Sequence, residues 1–286
     1  MEAMARDVVR SRVGVAGAEI AYAVWPSSDP LVSRPGVLLI HGTLANHYWW
    51  SHIAGLLSPS RQVVAMDLSG HGDSGHRASY DLATWSEEVL AVLSVVEPDG
   101  RPAHVIGHSL GGVVAAVAAT DPASPIRSIS MCESIRDPRS SQHPAMVPKV
   151  RRAYPDRASA VERFRTIPPG LDTVPYVVAY VASRSIEQVE DGWTWKHDLN
   201  VASDLQPRMP RLDEVIEGVP CPMSVVVGEH GLVDAEDIAL METAGGPRLE
   251  TTVVPSAGHH LMLEAPQAFA TAIEGFIDRL DRVTTR

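Results

Sequence analysis

A serine stands between two glycines in the run Gly107-His108-Ser109-Leu110-Gly111, directly after an apolar stretch and before an Ala/Val-rich stretch of helical length. That order predicts a strand, a sharp turn and a helix, with the Ser109 hydroxyl presented at the apex. The glycines answer to crowding, since a turn this tight leaves room only for hydrogen side chains beside a strained serine. Gly112 lets the helix pack closely on the sheet. A hydroxyl is a poor nucleophile until a base takes its proton, so a histidine must come within hydrogen-bond reach. The chain has twelve histidines, and position selects among them. His259 follows the last β-like run and is the candidate base and acid. His260 is expected to pack or hydrogen-bond locally, and His108 to face away from the nucleophile.

The elements that would hold these groups can be read from the apolar pattern. Short β-like runs at 36–42, 62–68, 103–109, 126–133, 223–229 and 249–255 alternate with helical stretches such as 82–96 and 113–121. Continuous apolar strands alternating with helices predict an α/β fold whose mostly parallel sheet is covered on both faces. Runs 8–15 and 19–25 read as an antiparallel hairpin around Ala16-Gly17 at one sheet edge. After Glu133 the alternation stops until Met223. So long a structureless loop is implausible inside a compact domain, and helical fragments at 145–154, 159–166 and 174–186 predict an inserted helical cap. The expected division is a core of 1–133 and 218–286 with a cap of 134–217.

The chain has 286 residues, is 45% hydrophobic and carries a formal net charge of −11, which argues against nucleic-acid or anionic-membrane partners. The first residues carry charges where a secretory signal needs an apolar run, which reads as a cytoplasmic protein. Cys132 and Cys221 form neither a disulfide framework nor a metal-ligand spacing and are expected to be free thiols.

Four segments in order, HGTLANHYWW (41–50), DLSGHGDSG (67–75), GHSLGG (107–112) and GHHLMLEAP (258–266), resemble the α/β-hydrolase superfamily over nearly the whole chain outside the cap. The resemblance implies that the backbone N–H groups of Thr43 and Leu110 form an oxyanion hole, each donor worth about 3 kcal/mol to a tetrahedral intermediate. Asp67, His71 and Glu264 are read as shaping their loops. The resemblance also implies an acid three positions after the glycine that ends the seventh core strand. Here Gly228 is followed by Glu229, His230 and Gly231, so the carboxylate is missing. Asp234 and Asp237 fall where they would open the next helix. Glu133, in SMCESIRDP, is the stronger candidate for orienting the base. One branch of haloalkane dehalogenases has a similar segment, and zearalenone-type lactonases use a glutamate in this place.

Dehalogenases and epoxide hydrolases attack a saturated carbon with aspartate; a serine there would leave a stable ether. Ser109 points instead to acyl transfer at a carbonyl, with no cofactor or metal required. Hydrolysis of a small apolar ester or lactone is the first reading. Carbon–carbon bond hydrolysis of diketones and a non-catalytic ligand receptor on the same fold are the alternatives. Trp193, Trp195, Tyr176 and Tyr180 are candidate walls for the substrate, Met146, Val150 and Tyr154 a cap helix stripe, and Trp50 a packing residue. A homodimer is left open.

Overall fold

The computed structural model describes residues 8–28, 34–97, 99–137, 151–205 and 209–284. Its framework is an eight-stranded sheet. In chain order the strands are β1 (Val9–Val15), β2 (Ala18–Trp25), β3 (Val37–Ile40), β4 (Val63–Met66), β5 (Ala103–His108) and β6 (Ile126–Cys132). A small pair follows, β7 (Ile186–Val189) and β8 (Gly192–Trp195), before β9 (Met223–Gly228) and β10 (Leu249–Val254) complete the sheet. The spatial order is β1-β2-β4-β3-β5-β6-β9-β10. β1 pairs antiparallel with β2, and β2 antiparallel with β4, while every other neighbouring pair is parallel.

The apolar strand runs are buried because both faces of the sheet are covered. In β3, Leu38 and Ile40 enter one core cluster and Val37 and Leu39 the other, as period-two alternation requires. The first cluster is closed by α2 (Leu82–Val96) and α3 (Leu110–Ala119), the second by α1 (Ser51–Leu57) and, near the C-terminus, a long final helix. Asp81 caps α2 by accepting from the Thr84 N–H at 2.8 Å. Trp50 is fully buried and stacks on Phe269, as a packing residue should.

The segment between β6 and β9 is not purely helical. It carries α4 (Arg157–Glu162) and α5 (Pro175–Arg184), then the antiparallel β7–β8 hairpin, then α6 (Asn200–Leu205) and α7 (Leu212–Glu217). The sequence run Gly192-Trp193-Thr194-Trp195 favours a strand because two large aromatics and a β-branched residue fit a pleated ribbon. Tyr154 is not on a helix but bridges Trp193 in antiparallel fashion; Met146 and Val150 lie outside the described residues. Leu212 and Ile216 of α7 are buried in the cluster that contains α3. The remaining helices are α8 (Ala235–Gly245), the short α9 (Leu261–Glu264) and α10 (Pro266–Thr284). Among the described residues no helix is long and apolar enough to cross a membrane.

Candidate active site

Parallel strands bring their carboxyl ends to one sheet edge, and the candidate residues leave the sheet there. The register pairs His108 with Cys132, so Ser109 and Glu133 are the next residues out of two adjacent strands. Both have φ of 51°, a left-handed conformation that L-residues adopt only when the surroundings force it. For Ser109 the forcing contacts are visible. Its N–H donates to the Cys132 carbonyl at 2.8 Å, and its own carbonyl accepts from the Ser134 hydroxyl at 2.9 Å. A Cβ on Gly107 would overlap the Gly111 main chain, and one on Gly111 would overlap the carbonyls of Ile40 and His41. Gly111→Ala is therefore expected to cost about 2 kcal/mol or more, read as a lower midpoint in thermal melts.

The loop after β3 lies against this turn. A Cβ on Gly42 would stand 3.1 Å from Ser109 Cβ, so the main chain leading into Thr43 passes beside Ser109. Leu110, the first residue of α3, is buried. The loop is held from behind by Asp67, whose carboxylate accepts from the His47 N–H (2.6 Å), the His47 ring (2.8 Å) and the Asp73 N–H (2.8 Å). Burial would raise Asp67, but the charge and hydrogen bond of His47, His41 and the Asp73 N–H outweigh it and hold the group at about 2. Asn46 Nδ2 donates to Ser185 Oγ at 2.9 Å, tying the same loop to the end of α5.

His259 follows β10 through a tight bend; a Cβ on Gly228 at the end of β9 would overlap the carbonyls of Ala257 and Gly258. His108 Nε2 is 2.8 Å from the His259 carbonyl, fastening the residue before Ser109 to the histidine loop. Glu264 accepts from the Gly258 N–H, and from Leu171 N–H at 3.0 Å, so it joins that loop to the inserted segment. His259 Nδ1 lies 3.2 Å from Glu133 Oε2. The Glu133 carboxylate is fully buried and accepts from the N–H groups of Gly228 (2.9 Å) and Leu232 (2.8 Å). Burial raises this carboxyl from 4.5 to about 7, partly offset by the Leu232 and Gly228 N–H groups and by His260.

A model of the alpha/beta hydrolase family matches residues 37–272. The chain belongs to that family. Among curated relatives it is similar to a pimeloyl-[acyl-carrier protein] methyl ester esterase of Aeromonas hydrophila, 26% identical over 85% of this chain and 95% of the other. It is also similar to an esterase of Mycobacterium tuberculosis, 24% identical over 86% and 84% respectively. An uncharacterized protein of the same species is 40% identical over 84 residues, but the chain spans only 24% of its length. Among solved structures, a hypothetical protein of Pseudomonas aeruginosa matches with a TM-score of 0.74 and 26% identity, over 97% of this chain and 99% of the other.

In this alpha/beta hydrolase the position three after Gly228 is Gly231, and a Cβ there would overlap the Glu133 carboxylate. The glutamate thus occupies the volume that a side chain at 231 would need. Asp234 caps α8 instead, accepting from the Asp237 N–H at 2.8 Å. His260 does not bond locally: its Nε2 is 2.9 Å from the Pro168 carbonyl, 92 residues away. The aromatic candidates separate. Tyr176 is 59% exposed, whereas Tyr180 is buried edge-on to Tyr48, next to the loop that follows Gly42. Trp195, with Tyr154 and Phe164, forms an aromatic row that reaches Trp49, while Trp193 is half-buried beside it on β8. The sequence reading missed Ser134, Phe164 and the tether made by His108. No local pattern marks them, because each acts on a residue far away in the chain.

Proposed function

We propose that this chain is a serine hydrolase of carboxylic esters or lactones, working through a Ser109 acyl-enzyme. The observation that carries the reading is the placement of Ser109 and Glu133 at adjacent exits from β5 and β6, with His259 Nδ1 3.2 Å from the glutamate. In the proposed cycle His259 accepts the Ser109 proton as the hydroxyl attacks the carbonyl carbon, and Glu133 stabilises the imidazolium. The N–H groups of Thr43 and Leu110 bind the developing oxyanion. His259 then protonates the leaving group and activates the water that cleaves the acyl-enzyme. The esterases among the relatives support this bond class. A carbon–carbon bond hydrolase is the second reading, kept because its carbonyl-directed chemistry can use the same residues.

An apolar substrate portion suits the surroundings. Phe164, whose ring lies 6.0 Å from that of Trp49, also lines a hollow of about 380 Å³ within the inserted segment, with Val161, Arg165, Thr173 and Val178. Of the four proposed wall residues, Tyr180 is the one packed onto Tyr48; Trp193, Trp195 and Tyr176 remain proposals of the same kind. The testing experiment is release of p-nitrophenol from an acyl ester series of increasing chain length, with folded protein. Hydrolysis that varies with chain length supports the reading. No turnover of any ester or lactone by folded protein would overturn it.

The raised carboxyl of Glu133 makes the pH dependence specific. Because its folded value lies above its ordinary 4.5, the native state favours the protonated form. Its contribution to stability is complete below about 4.5 and is lost as pH rises to about 7. Activity runs the other way, since the ionised form supports the imidazolium. We expect kcat/KM to fall about tenfold per pH unit below about 7. A limb that stays at the same pH in Glu133→Gln would assign it to another group.

A further inference from the structure

Beside the proposed nucleophile three buried imidazoles converge. One ring nitrogen from each of His108, His259 and His260 lies within 4.8 Å of the other two. Each ring is also fixed from outside by an acceptor: His108 Nε2 by the His259 carbonyl, His260 Nε2 by the Pro168 carbonyl, and His259 Nδ1 by the Glu133 carboxylate. Such outer bonds set the tautomer and orient the ring of a metal-ligating histidine. A carbonyl can only accept, so Nε2 of His260 carries the proton and Nδ1 holds a lone pair. That Nδ1 is sealed from water and has no hydrogen-bond partner among the described residues. The same geometry holds for His108: its Nε2 faces the His259 carbonyl, so its Nδ1 holds the lone pair.

We propose that His108, His259 and His260 form a binding site for a zinc-class divalent cation, and that its occupation switches the esterase off by withdrawing the His259 imidazole from Ser109. The inhibition rests on the function proposed above; the binding site does not. The size of the occupant follows from the packing. A water-sized group does not reach Nδ1, and nitrogens bonded at about 2.1 Å to one tetrahedral ion stand about 3.4 Å apart. From a separation of up to 4.8 Å, the rings close by about 1.4 Å or less to reach that spacing. Three neutral imidazoles suit zinc or nickel and not magnesium, which demands oxygen ligands.

The test is titration of the purified protein with ZnSO4, followed by calorimetry and by p-nitrophenyl butyrate hydrolysis, on wild type and His260→Phe. The phenyl ring keeps the volume beside Trp49 and removes both nitrogens. We expect one zinc per wild-type chain, loss of hydrolysis on binding, recovery with EDTA, and no response to magnesium. His260→Phe should hydrolyse the ester within about threefold of wild type and bind zinc at least about tenfold more weakly. If the phenylalanine variant does not fold, His260→Gln is read in its place. Absence of stoichiometric zinc binding, unchanged affinity in the variant, or full activity with zinc bound would each overturn the proposal. Protein that hydrolyses no ester but binds zinc through His260 would retain the site and remove the inhibition together with the proposed function.

Discussion

Ser109→Ala is expected to lower kcat for p-nitrophenyl esters by about 10⁴-fold or more, with the fold unchanged. The alanine fits the turn, because the Cβ is already present and the forcing bonds are made by main chain: the Ser109 N–H to Cys132 and the Ser109 carbonyl from Ser134. What disappears is the nucleophile alone. The proposed oxyanion donors, the N–H groups of Thr43 and Leu110, would still polarise a carbonyl, so a residual rate above water is part of the expectation. The measurement is steady-state hydrolysis at equal folded concentration, with circular dichroism and a thermal melt as the control. Turnover in Ser109→Ala close to wild type would remove the acyl-enzyme from the mechanism, whatever the substrate.

The second large effect concerns the acid. Glu133→Gln should reduce kcat/KM by about 10³- to 10⁴-fold, because an amide at the same place no longer stabilises the imidazolium or holds its tautomer. Asp234→Asn should stay within a few-fold, since Asp234 is occupied at the start of α8. The overlap between Glu133 and a side chain at 231 sharpens the test. Gly231→Asp alone should fold poorly, as its Cβ meets the carboxylate that already occupies the space. Combined with Glu133→Ala, the same substitution places a carboxylate in the vacated volume. The double variant is expected to regain at least about tenfold over Glu133→Ala in kcat/KM and to melt above Gly231→Asp. A double variant no better than Glu133→Ala, although folded, would mean that position 231 cannot orient His259.

Much of this architecture was legible in the residue order because its causes are local. The alternation of apolar runs with helical stretches comes from strands buried on both faces, and GHSLGG marks its turn through glycines that steric crowding demands. The hairpin around Ala16-Gly17 and the capping role of Asp234 follow in the same way from short-range backbone chemistry. The inserted segment was less legible. Its helices α4 and α5 fall near the predicted fragments, but the β7–β8 hairpin and the bridge from Tyr154 to Trp193 depend on pairing partners that periodicity does not name.

The site divides along the same line. The sequence by itself determined the types and order of the candidate groups: a serine in a glycine-tight turn, a carboxylate leaving the next strand, and a histidine after the last one. Only the tertiary structure decided their relations. It set Ser109 and Glu133 side by side through the β5–β6 register, laid the Glu133 carboxylate against Gly231, and turned His108 and His260 toward His259. Those relations join residues separated by 126 and 151 positions, as in Glu133 with His259 and His108 with the His259 carbonyl. Packing of strand ends and burial of polar groups, which act in space and leave no spacing in the chain, fix such contacts.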